Sequence, residues 1–179
     1  VWFGNSQLNR LLPWSNDPIS NPPSDAIYIR DEDTGIFWTA TPSPVSTNAS
    51  YRVRHGQGYT VYESSHLGLI QNLTVFVPVD GHGGDATAAH SADSAINHDG
   101  SGDPVRIQRL RIVNTTAKDR RISVTSYAEL VLGNNREETQ SNIITKWDPE
   151  SNAMLARNCL HPDYGGYVAF ASMSPTASI

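Results

Sequence analysis

An antiparallel two-sheet β-sandwich is the fold class that this sequence predicts, and three observations predict it. Strand-like runs of alternating apolar residues recur along the chain, glycine and aspartate turns separate them, and helical periodicity is nearly absent. Closely spaced strands with long intervening loops favour two packed sheets; a closed barrel is the alternative that pattern alone leaves open. With 179 residues the chain is long enough for one hydrophobic core. We expect one sandwich domain, or part of one, over residues 1–179. It starts at Val1 rather than Met, which suggests a piece of a longer protein.

The strands follow in order. Residues 26–30 and 36–39 flank Asp31-Glu32-Asp33-Thr34-Gly35, a turn sequence that predicts a hairpin. Residues 51–54 and 59–63 flank His55-Gly56-Gln57-Gly58, a second hairpin whose glycines reach backbone angles closed to other residues. Leu69, Gln71, Leu73, Val75 and Val77 share one strand face. Val105 and Ile107 are out of phase with Leu110 and Ile112, which predicts a β-bulge near Gln108-Arg109. Ile122, Val124, Ala128, Leu130 and Leu132 all fall on even positions, so one long half-buried strand is expected there. Residues 146–152 read as a turn between strands at 143–147 and 154–157, and 167–171 as a last strand. The first 25 residues hold several prolines and little alternation, and predict an extended arm ordered by contact. Residues 81–103 are rich in Gly, Ala, Asp and His; they read as an insertion between two strands, with a short helix over 86–96 or disorder as its two options.

Composition removes several function classes. Net charge is −5, and the one dense basic group, Arg106, Arg109, Arg111, Arg120 and Arg121, reads as a solvated strand face rather than a nucleic-acid stripe. No apolar run approaches the ~20 residues of a membrane helix. The single Cys159 excludes an internal disulfide framework. His82, His90 and His98 stand at eight-residue spacing that fits no familiar metal cage, so no metal site is expected. The chain lacks a Gly-x-Ser-x-Gly elbow, and the neighbouring Asp31, Glu32 and Asp33 read as a solvated turn rather than paired catalytic carboxylates. No catalytic residue is assigned.

Sugars present hydroxyl edges and weakly apolar C–H faces, which proteins meet with polar side chains and flat aromatic rings. Two segments carry such mixtures. Asn5, Arg10, Trp14, Asn16 and Asp17 form the first, and Arg54, His55 and Tyr59 the second. These eight residues are the candidates for carbohydrate or interdomain contact; ordinary turn and hairpin roles compete with that reading at each position.

Certain segments also carry a resemblance. Gly4-Asn5-Ser6-Gln7-Leu8-Asn9-Arg10-Leu11, Pro13-Trp14-Ser15-Asn16-Asp17-Pro18, Tyr28-Ile29-Arg30-Asp31-Glu32-Asp33-Thr34-Gly35 and Tyr51-Arg52-Val53-Arg54-His55-Gly56-Gln57-Gly58-Tyr59 are four of them. Thr74-Val75-Phe76-Val77-Pro78, Arg109-Leu110-Arg111-Ile112, Tyr127-Ala128-Glu129-Leu130-Val131-Leu132-Gly133 and Trp147-Asp148-Pro149-Glu150 continue it. Together they resemble the N-terminal β-sandwich domain of inverting glycoside phosphorylases, with the phosphorylase-like region of cyclic β-1,2-glucan synthases a closer match than cellobiose phosphorylase. Residues 81–103 depart from the family pattern.

The resemblance implies a parent protein in which this sandwich packs on an (α/α)6 barrel that bears the general acid and the phosphate site. It implies a non-catalytic module contributing to β-glucan oligosaccharide binding or to a homodimer. Inorganic phosphate would be the parent's co-substrate, and this chain would need no cofactor. A bacterial cytoplasmic location follows, with attachment of the parent to the inner membrane left open and no membrane or nucleic-acid contact by this chain. An autonomous carbohydrate-binding module and a purely structural or dimerising domain are the rival readings.

Overall fold

The computed structural model describes residues 1–14, 19, 23–78 and 105–174. Its regular structure is nearly all strand with antiparallel pairing, as the alternation predicts, and among the described residues the sheets do not close into the barrel that pattern alone leaves open. The chain divides into two compact units, Ala26–Tyr127 and Val1–Asp25 with Ala128–Ile179.

The first unit is a two-sheet sandwich. Strands β1 (Asp25–Asp31) and β2 (Phe37–Thr39) form the predicted hairpin and join β7 (Ile122–Ala128) in a sheet of order β2-β1-β7. Strands β3 (Tyr51–Gly56), β4 (Tyr59–His66), β5 (Leu69–Phe76) and β6 (Ile107–Asn114) form a four-stranded antiparallel meander. Ile27, Ile29, Trp38 and Ala40 from one sheet pack with Leu69 and Leu73 from the other. Tyr62, Val75, Leu110, Ile112, Ile122 and Val124 close the core around them. Removing this apolar surface from water is the main drive for the two sheets to associate.

Polar connections also cross the sandwich, among them the Tyr51 hydroxyl, which donates to the Thr39 carbonyl at 3.1 Å. The Trp38 indole N–H donates to Gln71 Oε1 at 2.9 Å, and the Gln71 amide in turn donates to Ser64 Oγ. All three residues are buried, so each donor and acceptor needs its partner. At one end, Arg120 donates from Nε and Nη2 to Asp31 Oδ2 and from Nη1 to the Leu67 carbonyl at 2.9 Å. The β1–β2 turn and the β4–β5 turn are thereby tied to one guanidinium. Asp31 Oδ1 also accepts from the Asp33 and Thr34 backbone N–H groups, which shapes the turn closed by Gly35 at φ +72°. Burial alone would raise the Asp31 carboxyl; the Arg120 guanidinium and the two backbone donors outweigh it and hold the group below its usual range.

The second unit begins with a loop that doubles back. Leu11 N–H donates to the Val1 carbonyl at 2.9 Å, and Trp2 and Arg10 form an antiparallel bridge. Arg10 then exchanges two backbone hydrogen bonds with Gly133, and Val131 N–H donates to Leu11. Residues 1–11 are thus ordered by contact, and they form a closed loop rather than part of an extended arm. The short helix α1 (Arg136–Thr139) has Asn135 as N-cap, whose side chain accepts from Glu138 N–H. Glu138 reaches back to the Asn135 amide at 2.7 Å. Strands β8 (Ile143–Asp148), β9 (Ala153–Asn158) and β10 (Ala169–Ser172) form a sheet of order β10-β9-β8.

Two sequence expectations are corrected. The β5–β6 register runs without interruption from Leu69↔Asn114 to Phe76↔Ile107, so no bulge occurs at Gln108-Arg109. Ile107 simply lies on the outer face opposite Phe76, an apolar cross-strand pair that requires no slip. The even-numbered run does not make one strand either. β7 ends at Ala128, Leu132 adopts φ +44°, and Val131 and Leu132 are both buried, which a continued period of two forbids. The proposed helix at 86–96 and the rest of the 81–103 insertion lie outside the described residues.

Two predictions follow from these connections. Gln71→Leu strands the Trp38 indole donor and the Ser64 Oγ acceptor and lowers unfolding free energy by about 1–3 kcal/mol in urea denaturation of the chain. Asp31→Asn destabilises at neutral pH. Because the folded carboxyl titrates below its usual 3.8, its contribution is present above that value and lost as pH falls through the folded one. The gap between wild type and variant in thermal melts therefore narrows below pH 3.8.

Candidate functional site

The β3–β4 hairpin separates the second candidate group by face. Side chains alternate along a strand, and directly paired residues share a face. The registers place Val53, His55, Thr60, Tyr62, Gln71, Leu73, Leu110 and Ile112 on the face that carries the core. The outer face then carries three rows that cross all four strands, beside a shorter one of Ser65, Ile70 and Val113. Arg52, Glu63, Asn72 and Arg111 form one; Arg54, Val61, Thr74 and Arg109 the next; Gly56, Tyr59, Phe76 and Ile107 the third. Arg54 and Tyr59 are therefore diagonal neighbours on one face, about 7–8 Å apart. His55 is on the other, where its Nδ1 lies 3.1 Å from Thr60 Oγ1.

Tyr59 is held by what Gly56 lacks. A Cβ on Gly56 would fall 2.2 Å from Tyr59 Cζ, so the phenol ring lies across the glycine where any side chain would displace it. The ring is still 49% exposed, which leaves a flat aromatic surface open to solvent. Beside it runs a connected polar chain. Arg54 Nη2 donates to Glu63 Oε1 at 2.7 Å, Asn72 Nδ2 donates to the same oxygen at 3.2 Å, and Thr74 Oγ1 donates to Asn72 Oδ1. A shallow open cleft of about 290 Å3 at this end of the sheet is lined by His55, Tyr59, Thr60, Phe76 and Arg106, among others.

The first candidate group belongs to the other unit. Asn5 Oδ1 accepts from Gln7 N–H at 2.8 Å and Leu8 N–H at 3.0 Å, an Asx turn that shapes the N-terminal loop. Arg10 donates to the Ser6 and Trp14 carbonyls, and its guanidinium lies 5.1 Å from the centre of the Trp14 ring. Asn5 and Arg10 thus work within the loop, while Trp14 stays half exposed. Asn16 and Asp17 lie outside the described residues.

Sequence reasoning missed an aromatic group in this unit. Phe3 and Tyr167 have ring centroids 5.6 Å apart, Tyr167 and Tyr164 5.8 Å, and Tyr164 and His161 5.0 Å. His161 Nε2 lies 2.7 Å from the Leu8 carbonyl and must donate there, while Nδ1 accepts from the Asp163 and Tyr164 backbone N–H groups. That pattern describes a neutral imidazole with the proton on Nε2, fastening the N-terminal loop. No local motif announces a contact between residues so distant in sequence. The outer face of the β2-β1-β7 sheet holds a second shallow depression, lined by Tyr28, Arg30, Phe37 and Ser123 among others.

Among the described residues no three His, Cys, Asp or Glu side chains converge as metal ligands, and no helix is long and apolar enough to cross a membrane. Carboxylates of the sandwich are engaged with arginines: Asp31 with Arg120 and Asp33 with Arg121 at the β1–β2 turn, and Glu63 on β4 with Arg54. Fold and surface together define an all-β sandwich module whose exposed sheet carries aromatic and arginine side chains.

The profile of the glycosyl hydrolase 94 supersandwich domain matches residues 1–83 and 100–179, and the chain belongs to that family. The match breaks over residues 84–99, within the histidine- and aspartate-rich segment. Among curated relatives, cyclic β-(1,2)-glucan synthase NdvB of Rhizobium meliloti is 31% identical over 94% of this chain, which spans 5% of that protein. N,N'-diacetylchitobiose phosphorylase of Vibrio furnissii is 25% identical over 79% of the chain, and solabiose phosphorylase of Paenibacillus borealis 29% over 83%. The chain spans 15% and 17% of those two.

Proposed function

We propose that this chain is a non-catalytic sandwich module of a β-glucan-processing, phosphorylase-like protein, and that the outer face of its β3–β4 hairpin contacts the glycan. The observation that carries the reading is the Tyr59 ring laid across Gly56, exposed, with Arg54 in the adjoining row and the Glu63–Asn72 pair one row further along the face. A flat ring accepts the C–H face of a pyranose, the adjoining guanidinium matches its hydroxyl edge, and the amide and carboxylate beyond it suit the next residue of a chain. The identity to a glucan synthase and to disaccharide phosphorylases supports a sugar as the ligand. In this reading the parent exchanges a β-1,2-glucosidic bond for a phosphate ester on a separate (α/α)6 barrel, and inorganic phosphate is its co-substrate.

A packing role has its own support in the other unit. Ile144 and Phe170, which share one face of the β8-β9-β10 sheet, are each more than half exposed. Apolar side chains this open mark a contact surface, for the barrel of the same parent or for a second copy.

Calorimetric titration with β-1,2-linked gluco-oligosaccharides tests the glycan contact. Wild-type chain gives saturable heat, and Tyr59→Ala weakens affinity by about tenfold, equivalent to about 1.4 kcal/mol. Gly56→Val, which pushes the ring aside, acts in the same direction. Absence of heat at millimolar sugar refutes the contact and leaves the structural role.

A further inference from the structure

We propose that the outer face of the four-stranded sheet selects glycans that carry anionic groups, a refinement that rests on the glycan contact at Tyr59. The face holds four arginines at its edges, Arg52 and Arg54 on β3 and Arg109 and Arg111 on β6. The cross-strand rows align them in two pairs, Arg52 with Arg111 and Arg54 with Arg109. Three strand intervals of about 4.8 Å put the members of each pair roughly 14 Å apart, and the two rows lie about 7 Å apart along the strands.

Between them stands one carboxylate, Glu63, already held by Arg54 at 2.7 Å. Arg52, Arg109 and Arg111 are exposed, and among the described residues none has a carboxylate partner. The face therefore sums to +3, four arginines against one glutamate, on a chain whose net charge is −5. All four cations are arginine, whose planar fork engages carboxylate or phosphate oxygens by paired hydrogen bonds. An unpaired cationic group of this density is complementary to an anionic occupant.

The third row decides the kind of occupant. An acidic peptide needs a groove for apolar anchors or a free strand edge for its main chain. The face itself offers neither: the free edges belong to β3 and β6, where an added strand would lie beside the sheet and not over the face, and the short Asn72 and Thr74 side chains above β5 form no apolar groove. It offers instead the flat, open Tyr59 ring next to the arginine rows. Ring stacking at one end and cations across the rest suit a saccharide chain with carboxylate or phosphate substituents.

The test uses the full-length protein that carries this domain and two probes of one length: a neutral β-1,2-gluco-oligosaccharide, and the same chain oxidised at C6 to carboxylates. The oxidised probe binds about tenfold tighter at low salt, and the advantage shrinks as sodium chloride is raised through the Debye-screening range. The double variant Arg109→Gln, Arg111→Gln abolishes that advantage and leaves binding of the neutral probe intact. Equal affinity for the two probes, or an advantage that survives in the double variant, overturns anionic selection while the glycan contact stands. Failure of both probes to bind overturns both. If polyglutamate of matched charge competes as well as the oxidised sugar, the face reads charge alone and the glycan occupant is wrong.

Discussion

The hydrogen bond from the Trp38 indole to Gln71 fixes the sandwich's register, and the rest of the structure depends on that register. Gln71 is 2% exposed and flanked by Leu69 and Leu73 on the same strand face. Side chains repeat with a period of two, so a slip of one residue in β5 would carry the amide to solvent and draw Ile70 and Asn72 into the interior. A buried polar group tolerates no such exchange, because both of its partners would be orphaned. The Asp31–Arg120 pair acts alongside it, holding one turn from each sheet. Hydrophobic burial supplies the drive for the sheets to meet, and these polar contacts select the one arrangement in which they do.

Register in turn decides which side chains face outward. With Leu73, Val75, Leu110 and Ile112 committed to the core side, Arg54, Thr74, Arg109 and Arg111 are left to solvent. Tyr59 joins them through a local device: the chain places a glycine opposite, and the ring fills the vacant position. The surface we associate with glycan is thus a by-product of core packing, and it stands on strands rather than on a loop. Strand-mounted side chains are held more precisely than loop-mounted ones, which suits a surface that orients a chain of sugars.

Much of this was legible in the residues. Alternation located nearly every strand, and Asp-Thr-Gly and Gly-Gln-Gly located two hairpin turns, because period and turn chemistry are local signals. The failures share a cause. Phase alone turns Ile107 into a bulge and the even-numbered run into one strand, whereas an outer face accepts an apolar residue beside Phe76 and a chain can leave its sheet at Ala128. The four-residue helix α1 is too short for periodicity to show, although Asn135 and Glu138 carry a capping signal. Candidate residues were chosen by chemistry, which cannot assign a face. Arg54 and Tyr59 fall together and His55 falls opposite; Asn5 and Arg10 serve their own loop. The arginine quartet became visible only when the β3–β6 registers brought residues 52 and 111 into one row.

A solved structure of the full-length protein soaked with a β-1,2-gluco-oligosaccharide bears most directly on the glycan surface. The account predicts a pyranose stacked on the open face of Tyr59, with its hydroxyls reaching Arg54 and the next sugar of the chain lying toward Asn72. A protein segment covering that ring, with sugar found only elsewhere, would contradict it.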